Sequence, residues 1–228
     1  MLKAILFDLD GTLVNTDPLH YKTWQEVLQD YEIEIDRTFY KAHISGRLNP
    51  VIVQDLLPQL SLEAGDQLAD DKEARFREIG LSLTPLAGLL DLLEWIDCQG
   101  LKKAVVTNAP RENVKFLLEV LKLVDRFDAV VLAEEATAGK PDPAPYQLVL
   151  NQLAISPKEA IAFEDSGSGI QAAVGAGIYT IGVASTHEPD DLLKAGAAMV
   201  IPDFQEHQLW LLLESLQEMN SSSEAPAT

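Results

Sequence analysis

Lys3-Ala4-Ile5-Leu6-Phe7-Asp8-Leu9-Asp10-Gly11-Thr12 passes from an apolar run to a pair of acids and a glycine. A short, unbroken apolar run is the pattern of a strand covered on both faces of a parallel sheet. Side chains two apart on a strand point the same way, so Asp8 and Asp10 are expected to emerge together where the strand ends. Gly11 lets the chain turn sharply there. Two carboxylates in such a place need a cation or hydrogen bonds to offset lost hydration. The pair suits a hard divalent cation and a phosphate, and a carboxylate can itself attack phosphorus to form an aspartyl-phosphate. Asp, Gly and Thr are also ordinary turn and cap residues, so the assignment depends on the rest of the chain.

Working outward, β-rich runs recur at Ala104–Thr107, Ala129–Leu132, Ala160–Phe163, Tyr179–Val183 and Ala198–Ile201. Helical patterns lie between most of them, at Glu112–Leu121, Pro143–Leu153 and Gly167–Ala176. Such alternation predicts an α/β fold with a Rossmann-like parallel sheet. One stretch breaks the rhythm. Residues 15–83 hold no convincing strand, while Leu19, Trp24, Val27 and Leu28, then Ile52, Leu56 and Leu60, then Leu68, Ala69, Lys72, Phe76 and Ile79, recur at helical spacing. The insertion is too long for one crossover, so it predicts an inserted helical-bundle cap domain at 15–83, with the core formed by 1–14 and 84–220. A cap can close on a substrate. The small, polar segment 221–228 is expected to be disordered.

Three more segments carry chemistry. Val105-Val106-Thr107-Asn108-Ala109-Pro110 ends a strand with a hydroxyl and an amide that could meet phosphate oxygens. Gly139-Lys140-Pro141-Asp142-Pro143 holds a lysine in a stiff loop before a helix, where a fixed ammonium can neutralise charge during phosphoryl transfer. Phe163-Glu164-Asp165-Ser166-Gly167-Ser168-Gly169-Ile170 places adjacent acids before a small turn that opens a helix. A cap at Asp165 or Ser166 accounts for one polar residue, but not for a further acid at the end of an apolar strand. All these segments lie at the carboxyl ends of predicted strands, where open α/β sheets bind ligands.

Composition narrows the function classes. The chain has 228 residues and a formal net charge of −19. That charge repels nucleic acid and anionic membranes, so neither is an expected partner. An anionic substrate would need a local cluster of cations to overcome the global field. The single cysteine, Cys98, excludes an internal disulfide and a cysteine-rich zinc site. No run approaches the roughly 18 uninterrupted apolar residues of a membrane span, and the chain enters a strand at once with no secretory pattern. A cytoplasmic monomer is the expectation.

With these segments in order, the sequence resembles the haloacid dehalogenase-like superfamily across essentially its whole length: DLDGT, VVTN, GKPDP and FEDSGSGI stand where the four superfamily motifs do. The helical insert is similar to the C1-type cap of β-phosphoglucomutase and phosphoglycolate phosphatase relatives. Asp17-Pro18-Leu19-His20-Tyr21, His43-Ile44-Ser45-Gly46-Arg47, Asp71-Lys72-Glu73-Ala74-Arg75-Phe76 and Thr107-Asn108-Ala109-Pro110 further resemble the plant small sugar-phosphate phosphatases and their bacterial relatives. The resemblance implies a small phosphorylated metabolite as partner and Mg²⁺ as cofactor. It implies Asp8 as nucleophile, Asp10 as general acid and then base, and Thr107 and Lys140 as holders of the phosphoryl oxygens. Asp8, the Asp10 carbonyl, Asp165 and Glu164 would bind the metal. His20, Gly46, Arg47, Lys72, Asn108 and Ala109 would contact substrate. A phosphomutase would use the same site. A dehalogenase would use no Mg²⁺ and would lack the second acid that Asp10 supplies. A sugar-phosphate binder without turnover is the alternative of another class.

Overall fold

The computed structural model describes residues 1–223. Its strands are β1 (Ala4–Phe7), β2 (Lys102–Thr107), β3 (Ala129–Leu132), β4 (Ala160–Glu164), β5 (Tyr179–Val183) and β6 (Met199–Ile201). Its helices are α1 (Asp17–Gln29), α2 (Arg37–His43), α3 (Asn49–Leu56), α4 (Leu62–Ile79), α5 (Leu89–Cys98), α6 (Arg111–Val120), α7 (Ala144–Leu153), α8 (Gly167–Gly175), α9 (Pro189–Ala195) and α10 (His207–Ser223). The chain divides into two compact units, one of Met1–Asn15 with Thr84–Thr228 and one of Thr16–Leu83.

In the first unit the strands form one sheet in the order β3-β2-β1-β4-β5-β6, and every neighbouring pair is parallel. The α/β Rossmann-like architecture expected from the alternation is the one observed. Strand order reverses beside β1, the point at which sheets of this kind open a crevice at their carboxyl ends. The alternation of side chains along a strand sorts the core into two faces. Ala4, Leu6, Ala104, Val106, Ala160 and Ala162 share one apolar cluster with Tyr146, Val149 and Leu150 of α7 and Ala172 and Ala173 of α8. The intervening Phe7 and Phe163 stack at 5.4 Å, and Phe204 meets their rings edge-on at 6.1 and 5.2 Å. The β2 strand starts at Lys102, two residues before the apolar run, because Lys102 and Lys103 continue the ladder opposite Ala4 and Ile5. Their ammonium groups reach the Leu153 carbonyl and Asp97.

The second unit contains α1 to α4, as the absence of strand patterning predicts. Its apolar cluster centres on Trp24, Leu28, Tyr40, Ile52 and Val53. Helix starts follow capping chemistry: Asp36 accepts from the Phe39 amide at 2.7 Å to open α2, and Ser61 accepts from the Ala64 amide at 3.2 Å to open α4. The expected helical run through Leu60 is corrected, since α3 ends at Leu56. Pro58 disfavours helical backbone at Leu57. Leu60 nonetheless packs against the same cluster. At the other end of the chain α10 extends to Ser223, so 221–223 are helical rather than disordered. An anchored helix adds residues at one hydrogen bond each, even polar ones. Residues 224–228 lie outside the described residues. Among the described residues no helix is long and apolar enough to cross a membrane.

Phe204 is fully buried with its ring edge-on to both Phe7 and Phe163, and it bears no reacting group. Phe204→Ala is expected to destabilise the protein by about 3–5 kcal/mol in urea denaturation. A loss below about 1 kcal/mol would show that this aromatic triad does not hold the sheet face together.

Candidate active site

The site grows from the carboxyl ends of β1 and β4. The Asp8 amide donates to the Phe163 carbonyl at 3.0 Å, extending the pairing one residue beyond β1 and fixing where the Asp8 side chain leaves the sheet. The chain then reverses. Gly11 adopts φ +82°, and its amide donates to the Val14 carbonyl at 2.7 Å. A Cβ at residue 11 would stand 2.0 Å from Asp165 Oδ2. Glycine is therefore required both for backbone conformation and for the approach of the Asp165 carboxylate.

Lys140 is the hub. Its ammonium donates to Asp8 Oδ1, Glu164 Oε1 and the Val106 carbonyl, each at 2.6 Å. These three acceptors match its three donors. Tyr146 Oη also donates to Glu164 Oε1. The loop carrying Lys140 is fastened to the end of β2: the Lys140 amide donates to Asn108 Oδ1 at 3.0 Å, and Asn108 Nδ2 donates back to the Lys140 carbonyl at 3.1 Å. Thr107 is buried, and its hydroxyl accepts from the Ala109 amide at 3.0 Å. Asp165 accepts from the Thr186 hydroxyl, which lies 2.8 Å from His187 Nδ1. Ser185 donates to the Gly11 carbonyl. Ser166 caps α8 by accepting from the Gly169 amide at 3.1 Å, leaving Glu164 and Asp165 unexplained by capping.

The carboxylates outnumber the cation. Asp8, Glu164 and Asp165 are buried, with ligand atoms all within 4.8 Å of one another, and one ammonium lies among them. Burial pushes the Asp8 carboxyl up to about 7, against the pull of Lys140 and with the help of the Glu164 and Asp10 charges. Burial likewise raises Glu164, partly offset by Lys140. It raises Asp165 well above the usual range, with the Asp8 charge adding to it. Burial alone would lower Lys140, but Asp8 and Glu164 outweigh it and raise the ammonium above the ordinary lysine range.

The donor set fits a hard divalent cation, which takes carboxylate oxygens. An independent sign is Glu164 Oε2, a buried oxygen with no hydrogen-bond partner among the described residues. A Cβ at residue 169 would lie 1.7 Å from it. The protein thus gives up a side chain at Gly169 to keep this carboxylate where it is.

The structure brings Asp8, Lys140, Glu164 and Asp165 together, with Thr107, Asn108 and Ala109 at the end of the neighbouring strand. Half-buried Asp10 lies at the Asp8 turn in an isolated bridge with Val14. The other expected residues belong to the helical unit. There Lys72 is buried and lies 2.7 Å from His20 Nδ1 and 2.8 Å from Glu73 Oε1, and His20 stacks on Phe76 at 4.3 Å. Gly46, at φ +73°, and Arg47 lie in the connection between α2 and α3. Arg47 donates to the His43 carbonyl at 2.8 Å and to Asp55. Sequence reasoning missed Tyr146, Ser185 and Thr186. The last two follow β5, so the strand-end rule that found the other loops would have reached them. Tyr146 sits in an apolar helical pattern and has no local signal beyond being a tyrosine there.

With this geometry established, comparison with known proteins is direct. The family model described as haloacid dehalogenase-like hydrolase matches residues 5–183. A phosphorylated carbohydrates phosphatase of Thermotoga maritima is 34% identical over 211 residues, spanning 89% of this chain and 95% of that protein. A β-phosphoglucomutase of Bacillus subtilis is 25% identical, spanning 99% of this chain and 100% of that protein. The crystal structure of a CbbY variant from Rhodobacter sphaeroides, in complex with xylulose-(1,5)bisphosphate, superposes with a TM-score of 0.79 at 27% identity, covering 90% of this chain and 96% of that one. Family match, sheet order and strand-end carboxylates agree: the chain belongs to the haloacid dehalogenase-like hydrolases.

Proposed function

We propose that this protein is a Mg²⁺-dependent phosphatase acting on small phosphorylated sugars or polyols through an aspartyl-phosphate on Asp8. The observation that carries the proposal is the surplus of buried carboxylates over cations around Asp8. Lys140 alone does not match these carboxylates, and a metal held by them would add the positive charge that a phosphate needs there. The Thermotoga relative, named a phosphatase of phosphorylated carbohydrates, supports the substrate class, and its identity exceeds that of the mutase relative.

Asp8, the Asp10 carbonyl, Glu164 and Asp165 are the groups that would hold the metal. When bound, Mg²⁺ supplies positive charge to phosphoryl oxygens. The rest of the chemistry belongs to the chain. Asp8 attacks phosphorus in line, forming an Asp8–phosphoryl bond as the ester P–O bond breaks. Asp10 gives its proton to the departing alkoxide. Lys140 and the Thr107 hydroxyl hold the transferring oxygens. Asp10 then accepts a proton from water, which attacks phosphorus, releases phosphate and restores Asp8. The helical unit is the candidate cap, with His20, Gly46, Arg47 and Lys72 as its candidate substrate contacts and Asn108 and Ala109 as those of the sheet unit.

Phosphate release from a panel of C2 to C6 sugar and polyol phosphates tests the proposal. Release should require Mg²⁺, stop with chelator, vanish in Asp8→Asn and fall sharply in Asp10→Asn, because an amide cannot shuttle the proton. Isomerised product without phosphate would instead establish a mutase, and binding without turnover a sensor.

Arg47→Ala should change the ranking among sugar phosphates more than it changes hydrolysis of a small aryl phosphate. Equal losses on both would remove Arg47 from leaving-group recognition.

The raised Asp8 carboxyl sets a pH dependence. Between its ordinary 3.8 and about 7, the folded metal-free protein holds a proton that the unfolded chain has released. The contribution of Asp8 to stability therefore falls as pH rises through that window. A metal needs the carboxylate, so Mg²⁺ affinity should rise across the same window, with protons released on binding. Calorimetry at about pH 6 in buffers of different ionisation enthalpy checks this, and an affinity flat across the window would contradict it.

A further inference from the structure

We propose that Tyr146 is a positioning residue: its hydroxyl fixes the Glu164 carboxylate in the orientation that receives the metal. The proposal rests on the metal-dependent reading above. Tyr146 lies in the first turn of α7, fully buried, in a cluster that is otherwise apolar. Phenylalanine would fill that space without the cost of burying a hydroxyl, so the hydroxyl requires a reason. Its partner is Glu164 Oε1. An ionised carboxylate only accepts, so Tyr146 is the donor.

Lys140 does not hold Glu164 by itself. Its ammonium is divided among Asp8, Glu164 and the Val106 carbonyl, and the proposed chemistry asks the same ammonium to meet phosphoryl oxygens. Tyr146 faces no such competition. It occupies Oε1 from the core side, while Oε2 accepts from no described group and rests in the space left by the missing side chain of Gly169. Tyrosine on one oxygen and glycine beside the other leave the carboxylate little room to rotate. Groups that orient metal ligands in this way matter as much to affinity as many of the ligands they hold.

The test is Tyr146→Phe, which keeps the ring, in a calorimetric titration with MgCl₂ and no substrate. The expected result is about tenfold weaker Mg²⁺ binding. In phosphate-release assays the Mg²⁺ concentration for half-maximal rate should rise by the same factor, while kcat at saturating metal falls less. In a Glu164→Gln background the Phe substitution should add little, because the group it orients is already changed. An Mg²⁺ affinity within about twofold of wild type, or the same tenfold loss in the Glu164→Gln background, overturns the positioning role. The two readings separate cleanly. Equal Mg²⁺ affinities with intact phosphate release overturn the role of Tyr146 alone. Wild-type Mg²⁺ binding weakened by the Phe substitution, with no phosphate released from any substrate, overturns the phosphatase alone.

Discussion

The buried Lys140 ammonium is the constraint on which the site depends. It joins β1 through Asp8, β2 through the Val106 carbonyl and β4 through Glu164, so one side chain ties three adjacent strand ends. Removing an ammonium from water is costly, and here all three donors are satisfied in return. Taking away one partner of such a pair typically costs about 3–5 kcal/mol, because the other charge is left buried. Lys140 nevertheless does not neutralise its surroundings. Asp165 and the second share of negative charge on Asp8 and Glu164 remain, and their carboxyls are held above the usual range. The same lysine that makes the cluster foldable leaves it short of positive charge.

Close approach then follows from absent atoms as much as from present ones. Asp165 comes near enough to β1 only because residue 11 has no side chain, and Glu164 reaches the start of α8 only because residue 169 has none. The β5 loop completes the fit, with Ser185 on the Gly11 carbonyl and Thr186 on Asp165. Alanine at either glycine would displace the carboxylate it faces, Asp165 or Glu164, from the cluster proposed to hold the metal. These two glycines therefore belong to the site although neither carries a functional group.

Much of this was legible in the sequence because it is local. Apolar runs of four or five residues fall on every strand, and the strand-end rule points to Asp8, Thr107, Lys140, Glu164 and Asp165 at the carboxyl ends of the sheet. What escaped was set by tertiary contact. Nothing in the spacing around Tyr146 says that its hydroxyl meets a residue eighteen positions later. Thr186 likewise depends on β5 pairing with β4. Helix ends were misjudged where a local rule competed with periodicity: Pro58 stops α3 before Leu60, and α10 carries on into serines.

The two units also show why buried charge alone does not mark a reactive site. In the helical unit Glu73 is buried beside Lys72, with Asn49 donating to it at 2.6 Å. Burial alone would raise its carboxyl, yet Lys72 and His20 overcome that and hold it down to about 2. In the sheet unit Asp8 is also buried beside a lysine, and there burial wins and the carboxyl rises to about 7. At Asp8 the neighbouring Glu164 and Asp10 charges add to burial, whereas at Glu73 the Lys72 and His20 charges oppose it. Lys72 pairs with Glu73 and lies beside His20, and those two charges outweigh burial at the Glu73 carboxyl. Lys140 faces two, Asp8 and Glu164, with Asp165 adjoining, and there burial outweighs the lysine, so that protons, or a metal bound in their place, would offset the excess charge. Among the described residues this is the one group of three acids placed to hold a metal, and its burial together with its excess of carboxylates sets it apart from the Lys72–Glu73 pair.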